Sequence, residues 1–251
     1  MPTALITGAS GGIGLELARV FAREGYGLVL VARNQKRLEE IAQEVRPTEA
    51  QVIAIDLSMR GAPEEIHGKV PKVDVLVNNA GFGVFGKFAD KGLAEELNMM
   101  QLNMTALVAL TRLYLPAMIS AGNGKIMNVA STAAFQPGPL MAIYFATKAF
   151  VLSFSEAIAN ELEGTGVIVS ALCPGPTASD FQARAKMQNS GLVKGKKMMD
   201  SRTVAEIGYR GLVAGKTIVI PGFGNKLLTQ SLRLSPRSVV TKMVRRMQEE
   251  H

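Results

Sequence analysis

Ala4-Leu5-Ile6-Thr7-Gly8-Ala9-Ser10-Gly11-Gly12-Ile13-Gly14 reads as a short apolar strand running into a glycine turn, and Leu15 to Arg23 after it reads as an amphipathic helix. The glycines at Gly8, Gly12 and Gly14 suit a backbone that turns sharply and lets a large anion come close, where side chains would block the approach. The helix points its free N–H groups and the positive end of its dipole at the turn, so a phosphate is favoured there. A glycine-rich turn also serves simply as a tight bend. The rest of the chain has to decide between the two.

Outward from that turn, strand-like and helix-like runs alternate. Gly27 to Ala32 is a continuous apolar run, and Gln35 to Val45 is helical with charges on one face. Gln51 to Asp56 is a third strand, and Ala62 to Lys69 a short helix. Val73 to Val77 is a fourth strand closed by Asn78-Asn79-Ala80-Gly81, and Phe82 to Lys91 is a loop rich in Gly and Phe. Leu93 to Ser120 reads as one long apolar helix, bent near Pro116. Lys125 to Val129 is a fifth strand, Ala142 to Glu163 a helix, and Val167 to Leu172 a sixth strand. Thr203 to Ala214 is helical and Thr217 to Ile220 is the last strand. Strands apolar on both faces, separated by helices, call for one parallel sheet covered on both sides. The glycine turn and right-handed crossovers make it a doubly wound α/β sheet of about seven strands. No linker interrupts it, so 1–251 counts as one domain. Ligands of such a sheet bind beyond the carboxyl ends of its strands. Those ends carry Gly8 to Gly14, Arg33, Asp56, Asn79 to Gly81, Ser131 and Pro174 to Thr177.

The composition fits a compact globular protein: 47% of the 251 residues are hydrophobic and 20% charged. The net charge of +7 is read as solubility charge, because no block interleaves basic and aromatic residues as nucleic-acid binding would require. A single cysteine, Cys173, forms no internal disulfide. It suggests a reducing compartment and, in its apolar run, a buried small hydrophobe. The first strand begins at about residue 3, so a cleavable leader is not expected. No uninterrupted apolar span approaches about 18 residues, so no membrane-crossing helix is expected either. The expected location is the cytoplasm. No metal site is expected.

Tyr144 and Lys148 lie four apart on one helix face. An ammonium beside a phenol favours the phenolate, so Lys148 is expected to lower the Tyr144 pKa and let it exchange a proton with a carbonyl or alcohol oxygen. Ser131, just past the fifth strand, is placed to hydrogen-bond the same oxygen, or else to cap the turn that follows it.

The chain resembles a short-chain dehydrogenase/reductase of the roughly 250-residue type. The resemblance covers residues 3 to about 222. It rests on Thr7-Gly8-x-x-x-Gly12-x-Gly14, Asn78-Asn79-Ala80-Gly81, Asn103, Ser131, Tyr144-x-x-x-Lys148 and Pro174-Gly175, in that order. It implies a Rossmann fold with strand order 3-2-1-4-5-6-7 and catalytic residues Asn103, Ser131, Tyr144 and Lys148. It also implies that Asn103 holds a water linking Lys148 to solvent, and that Lys148 reaches the nicotinamide ribose. The cofactor would lie along Gly8, Ser10, Gly12, Ile13, Gly14, Arg33, Asn34, Asp56, Leu57, Asn79, Ala80, Gly81, Tyr144, Lys148, Pro174, Gly175 and Thr177. Asp56 would meet the adenine amino group, Asn79 to Gly81 the adenine-ribose side, and Thr177 the nicotinamide amide or pyrophosphate.

The end of the second strand bears on which cofactor. An NAD-dependent member carries an acidic side chain there, whereas this chain has Ala32 and then Arg33. A guanidinium attracts a 2′-phosphate that a carboxylate would repel, so NADPH is expected rather than NAD. The substrate is expected between Ser131-Tyr144 and a lid at 176–202, against Ala133, Phe135, Met141, Phe181, Met187 and Leu192. That wall suits a hydrophobic carbonyl compound. Lys186, Lys194, Lys196 and Lys197 in the lid could attract an anionic substrate, or could be solvated. The expected function is NADPH-dependent reduction of a ketone or aldehyde, with Tyr144 as the acid. The alternatives are isomerisation with a held cofactor, or a dinucleotide-binding regulatory or scaffold protein without turnover. The resemblance implies a homodimer or homotetramer built through the two long helices. The basic extension 223–251 carries Val240, Met243, Val244 and Met247 at helical spacing. Such a stripe can lie on an anionic membrane, pack on a partner subunit or cover the active site, and packing is the commoner fate.

Overall fold

A computed structural model describes residues 1–45, 49–179, 181–185, 187, 190–191 and 198–249. The expected contributions of Lys186, Leu192, Lys194, Lys196 and Lys197 lie outside the described residues.

The chain runs β1 (Thr3–Thr7), α1 (Gly12–Arg23), β2 (Gly27–Ala32), α2 (Gln35–Glu44), β3 (Ala50–Ala54), α3 (Ala62–Lys69) and β4 (Val75–Asn78). A 3-10 turn at Phe88–Asp90 leads into α4 (Leu93–Met100) and α5 (Leu107–Ala121). Then come β5 (Gly124–Val129), α6 (Ala142–Glu161), β6 (Val167–Leu172), β7 (Thr177–Ala178) and α7 (Phe181–Arg184). The described chain continues with β8 (Met199–Asp200), α8 (Ser201–Val213), β9 (Ile218–Val219), α9 (Phe223–Arg233) and α10 (Arg237–Gln248).

The main sheet has seven strands in the order β3-β2-β1-β4-β5-β6-β9, each neighbouring pair parallel. This is the expected topology. The last strand is numbered ninth only because β7 and β8 form a separate two-residue ladder, which the sequence did not suggest. The central strands bury nearly every residue, while the edge strand β3 leaves Gln51 and Ala54 exposed. That difference follows from position, since a central parallel strand has helices on both faces and an edge strand keeps one side in water. On one face Leu17, Phe21, Leu38, Ile41, Val204 and Leu212 pack on the sheet. On the other, Ile66, Leu110, Tyr114, Met118 and Leu162 do so. The Tyr114 hydroxyl, buried, donates to the Val70 carbonyl at 2.8 Å.

One expectation needs correction. Leu93 to Ser120 is not one regular α-helix. Pro116 lies inside α5, and the interruption is a π-helical turn at Gln101–Ala106. Such wide turns recur at functional sites. This one carries Asn103, described below. By length and composition alone, Leu93–Ala121 and Ala142–Glu161 are apolar enough to cross a membrane, although neither is an unbroken apolar run. In the fold they lie alongside the sheet.

Candidate active site

The glycine turn lies at the carboxyl end of β1. Gly8 and Gly12 are left-handed, with φ of +66° and +54°. A Cβ at Gly8 would lie 2.8 Å from Asn79 Nδ2 and 3.0 Å from Ala80 Cα. Asn79 Nδ2 donates to the carbonyls of Thr7 at 2.9 Å and Gly8 at 3.3 Å. The Thr7 hydroxyl accepts from the Asn79 and Ala80 N–H groups and donates to the Val77 carbonyl. The loop after β4 is thus clamped to the turn after β1. Gly8 and Gly14 are needed first because their own protein crowds them, which sharpens the sequence reading that reserved their space for an anion. The feature suited to an anion is instead the start of α1. Its N-cap is Gly11, no side chain caps it, and its first turn holds no acid, so its N–H groups point at open turn.

Ser131 follows β5, and the capping role expected of it is seen. Its hydroxyl caps the 3-10 turn Thr132–Phe135 by accepting from the Ala133 N–H at 3.1 Å. It also stands near enough to the Tyr144 phenol to lower its pKa somewhat. Lys148 is buried on α6 and donates to the Val129 carbonyl at 2.7 Å. Its Nζ stands 5.8 Å from the centre of the Tyr144 ring. Asn103 is buried in the π turn. Its Oδ1 accepts from the Phe82 N–H at 3.1 Å, and its Nδ2 donates to the Phe82 carbonyl at 3.0 Å and to Thr147 Oγ1 at 3.1 Å. Thr147 in turn donates to the Tyr144 carbonyl at 2.7 Å. A Cβ at Gly81 would lie 2.9 Å from Asn103 Oδ1 and 3.7 Å from Lys148 Nζ. Asn103 and Lys148 therefore meet at Gly81, on the floor of the site. Thr147 was missed in the sequence; its one signal is a hydroxyl beside Lys148 on an otherwise apolar helix turn.

The electrostatics correct a second expectation. Lys148 does not hold the Tyr144 phenol below its ordinary value. Burial pushes Tyr144 up to about 12, and the nearby Ser131 hydroxyl only partly offsets it. Burial also pulls Lys148 down to about 8. The desolvation that raises the phenol also weakens the neighbouring charge that was to lower it. At neutral pH the protein's own groups keep Tyr144 protonated.

These shifts carry a stability prediction. Between about 8 and 10.5 the unfolded chain holds a proton on Lys148 that the folded chain has released, so stability rises with pH there. Tyr114, Tyr144 and Tyr209, pushed up to about 12 from 10.0, act with the opposite sign: the folded chain keeps protons that the unfolded chain loses. Cys173, pushed up to about 12 from 9.0 by burial, adds to the fall. Urea titrations should show the midpoint climbing from pH 8 to about 9 and dropping beyond about 10. Lys148→Met should remove the climb and keep the drop.

Arg33 and Asp56 stand together at the ends of β2 and β3, Nη1 to Oδ2 being 3.8 Å. Asp56 Oδ1 accepts from the backbone and hydroxyl of Ser58. Those hydrogen bonds and Arg33 hold its carboxyl below the usual range against the opposing effect of burial. The side chain of Asn34 is engaged, capping α2 by accepting from the Arg37 N–H at 3.0 Å. Leu57 turns into the core beside Ile53 and Ile66, so its side chain is structural. Ile13 likewise packs against the core. Ser10 and Gly175 are half-buried at the same sheet edge. The Pro174 carbonyl accepts from the Thr132 N–H at 2.8 Å. The Thr177 hydroxyl donates to the Gly175 carbonyl at 2.9 Å. The segment from Thr177 passes over the turn, with a Cβ at Gly12 reaching within 3.2 Å of Ser179.

Ala133, Phe135, Met141, Tyr144, Phe181 and Met187 gather in one apolar cluster. The Tyr144 and Phe181 rings are 5.2 Å apart. The cluster also takes Leu228 and Leu232 from α9 and Val240 and Val244 from α10. Sequence reading had left the destination of these helices open; their inner sides cover the Tyr144 side of the molecule. The expected stripe divides, since Val240 and Val244 are buried while Met243 is 40% exposed. A cavity of about 350 Å³ opens here, lined by Phe135, Pro137, Thr229, Leu232, Arg237 and Val240 among others.

A family model described as short chain dehydrogenase matches residues 2–190. Among curated proteins, the ketoacyl reductase HetN of Nostoc sp. is 37% identical over 69% of the chain. The chain spans only 62% of the length of that relative. The NADP-dependent 3-hydroxy acid dehydrogenase YdfG of Escherichia coli is 36% identical over 68% of the chain and 71% of its own length. Among solved structures, a short-chain dehydrogenase from Sphingobium yanoikuyae in complex with NADPH superimposes with a TM-score of 0.84. It covers 94% of this chain and 97% of that one at 31% identity.

Proposed function

The chain belongs to the short-chain dehydrogenase/reductase family of oxidoreductases, and on that footing we propose that it reduces a hydrophobic ketone or aldehyde to an alcohol with NADPH. The observation that carries the reading is Tyr144, kept protonated by burial, one helical turn from Lys148, whose Nζ meets Asn103 at Gly81. The residues fit the cofactor. The uncapped start of α1 suits the pyrophosphate, Arg33 beside Asp56 suits a phosphorylated adenosine ribose, and the missing side chain at Gly81 leaves room over Lys148. When bound, NADPH supplies the hydride. Tyr144 gives its proton to the substrate oxygen as negative charge develops there, a favourable transfer because an alkoxide is a far stronger base than a phenolate. The Ser131 hydroxyl donates to the same oxygen and stabilises that charge. Lys148, held by the Val129 carbonyl, carries a proton close to neutral pH and in this reading supplies the one that restores Tyr144. Asn103 and Thr147 fix the loop at Phe82 and the turn of α6 that carries Tyr144.

The apolar cluster around Tyr144 and the named activities of HetN and YdfG support a carbonyl substrate with an alkyl chain, 3-oxoacyl compounds among them. The test is NADPH consumption across a panel of ketones, aldehydes, sugars and 3-oxoacyl thioesters. Tight NADPH binding with no turnover on any of them would favour a regulatory protein instead. For cofactor choice, Arg33→Asp should weaken NADPH by roughly 10–100-fold, the value of one charge-assisted contact, and leave NADH little changed. Equal KM changes for both cofactors would remove Arg33 from the argument. We assign subunit pairing to the exposed faces of α4 and α6, where Leu93, Leu97 and Phe150 are 69%, 53% and 40% exposed. The single cysteine, buried, supports a reducing, cytoplasmic setting.

A further inference from the structure

The C-terminal helices use one side to cover the site and leave the opposite side apolar. Leu228, Leu232, Val240 and Val244 face the cluster around Tyr144. At about 100° per residue, Phe223, Leu227 and Leu234 fall on the side of α9 opposite Leu228 and Leu232. They are 83%, 63% and 90% exposed. On α10, Val239 and Met243 are exposed in the same way. The sequence from 223 to 251 carries six basic residues, Lys226, Arg233, Arg237, Lys242, Arg245 and Arg246, against Glu249 and Glu250. Among the described residues Arg245 is paired with Glu249, while Lys226, Lys242 and Arg246 form no salt bridge and are exposed.

We propose that the outer side of α9 and α10 docks on an anionic lipid bilayer, with Phe223, Leu227 and Leu234 entering the interface and the surrounding lysines and arginines meeting lipid phosphates. Charge decides the occupant. A two-fold contact between copies would set this basic surface against itself, whereas a bilayer rich in anionic headgroups complements it. The same two helices wall the cavity beside Phe135 and Arg237 on their inner side. The docked surface is therefore one helix thickness from the substrate side.

The experiment uses the full chain with vesicles of phosphatidylcholine alone or with about a third phosphatidylserine. Binding to the anionic vesicles should be at least about tenfold stronger and should fade as salt is added. F223S/L227S/L234S and, separately, K242E/R246E should each weaken it at least about fivefold, with unchanged thermal unfolding. L93S/L97S, on the other exposed apolar surface, should leave vesicle binding as it is. Equal binding to both vesicle types, or no loss in either C-terminal variant, overturns the proposal. So does a self-association in solution that F223S/L227S/L234S abolishes while the wild type ignores vesicles; that result would assign the surface to a second copy.

Discussion

Tyr144→Phe is expected to lower kcat by about 10²–10⁴-fold, the range that a positioned acid contributes, while NADPH still binds within about twofold. The substitution is clean because the ring stays. Phenylalanine keeps the packing against Phe145 and Phe181, at 6.0 and 5.2 Å between ring centres. It removes only the hydroxyl that Ser131 stands near. Stopped-flow oxidation of NADPH separates the chemical step from cofactor binding, which is followed by nucleotide fluorescence. A variant that turns over within tenfold of the wild type would mean that another group supplies the proton.

The second large effect lies at the turn. Gly14→Ala is expected to abolish NADPH binding and to cost about 1–3 kcal/mol or more in stability, the usual penalty of overpacking. A methyl group there runs into the Gly8 carbonyl oxygen and the Asn79 amide. Neither can yield cheaply, because Asn79 Nδ2 is the donor that joins the loop after β4 to Thr7 and Gly8. At this chain length each kcal/mol lowers Tm by about 2–4 °C. Gly25→Ala is the control. Its φ is +81° with no atom within 4 Å, so it carries only the roughly 1–2 kcal/mol of a left-handed side chain and leaves the cofactor site intact. If both variants bind NADPH normally, the turn is not the cofactor site.

The sheet was legible because β2, β4, β5 and β6 carry apolar residues on both faces, which only a covered parallel sheet requires. The glycine turn then fixed where the first crossover begins. The β7–β8 ladder was not legible, since two residues per strand hold no periodicity. Nor was the π turn. Leu102, Met104 and Leu107 surround Asn103 in the sequence, and an apolar neighbourhood looks the same with one residue more or less per turn. The roles of Asn34, Leu57 and Thr147 depend on partners that the sequence does not set beside them: the Arg37 backbone, the core near Ile53 and the Asn103 amide. The Tyr144 pKa was misread for a similar reason. A Tyr–Lys spacing on a helix shows the charge and hides the burial, and burial dominates.

The wide turn at Gln101–Ala106 reaches beyond Asn103. It holds one residue more than a regular helix would over the same height, so it sets the angular register between α4 and α5. Removing one residue from it would turn α4 by about 100° relative to α5. While α5 keeps Leu110, Tyr114 and Met118 on the sheet, that rotation would carry Leu93 and Leu97 away from the outward side they now occupy. One inserted residue thus indexes two things together: where the Asn103 amide points, and which side of α4 faces outward.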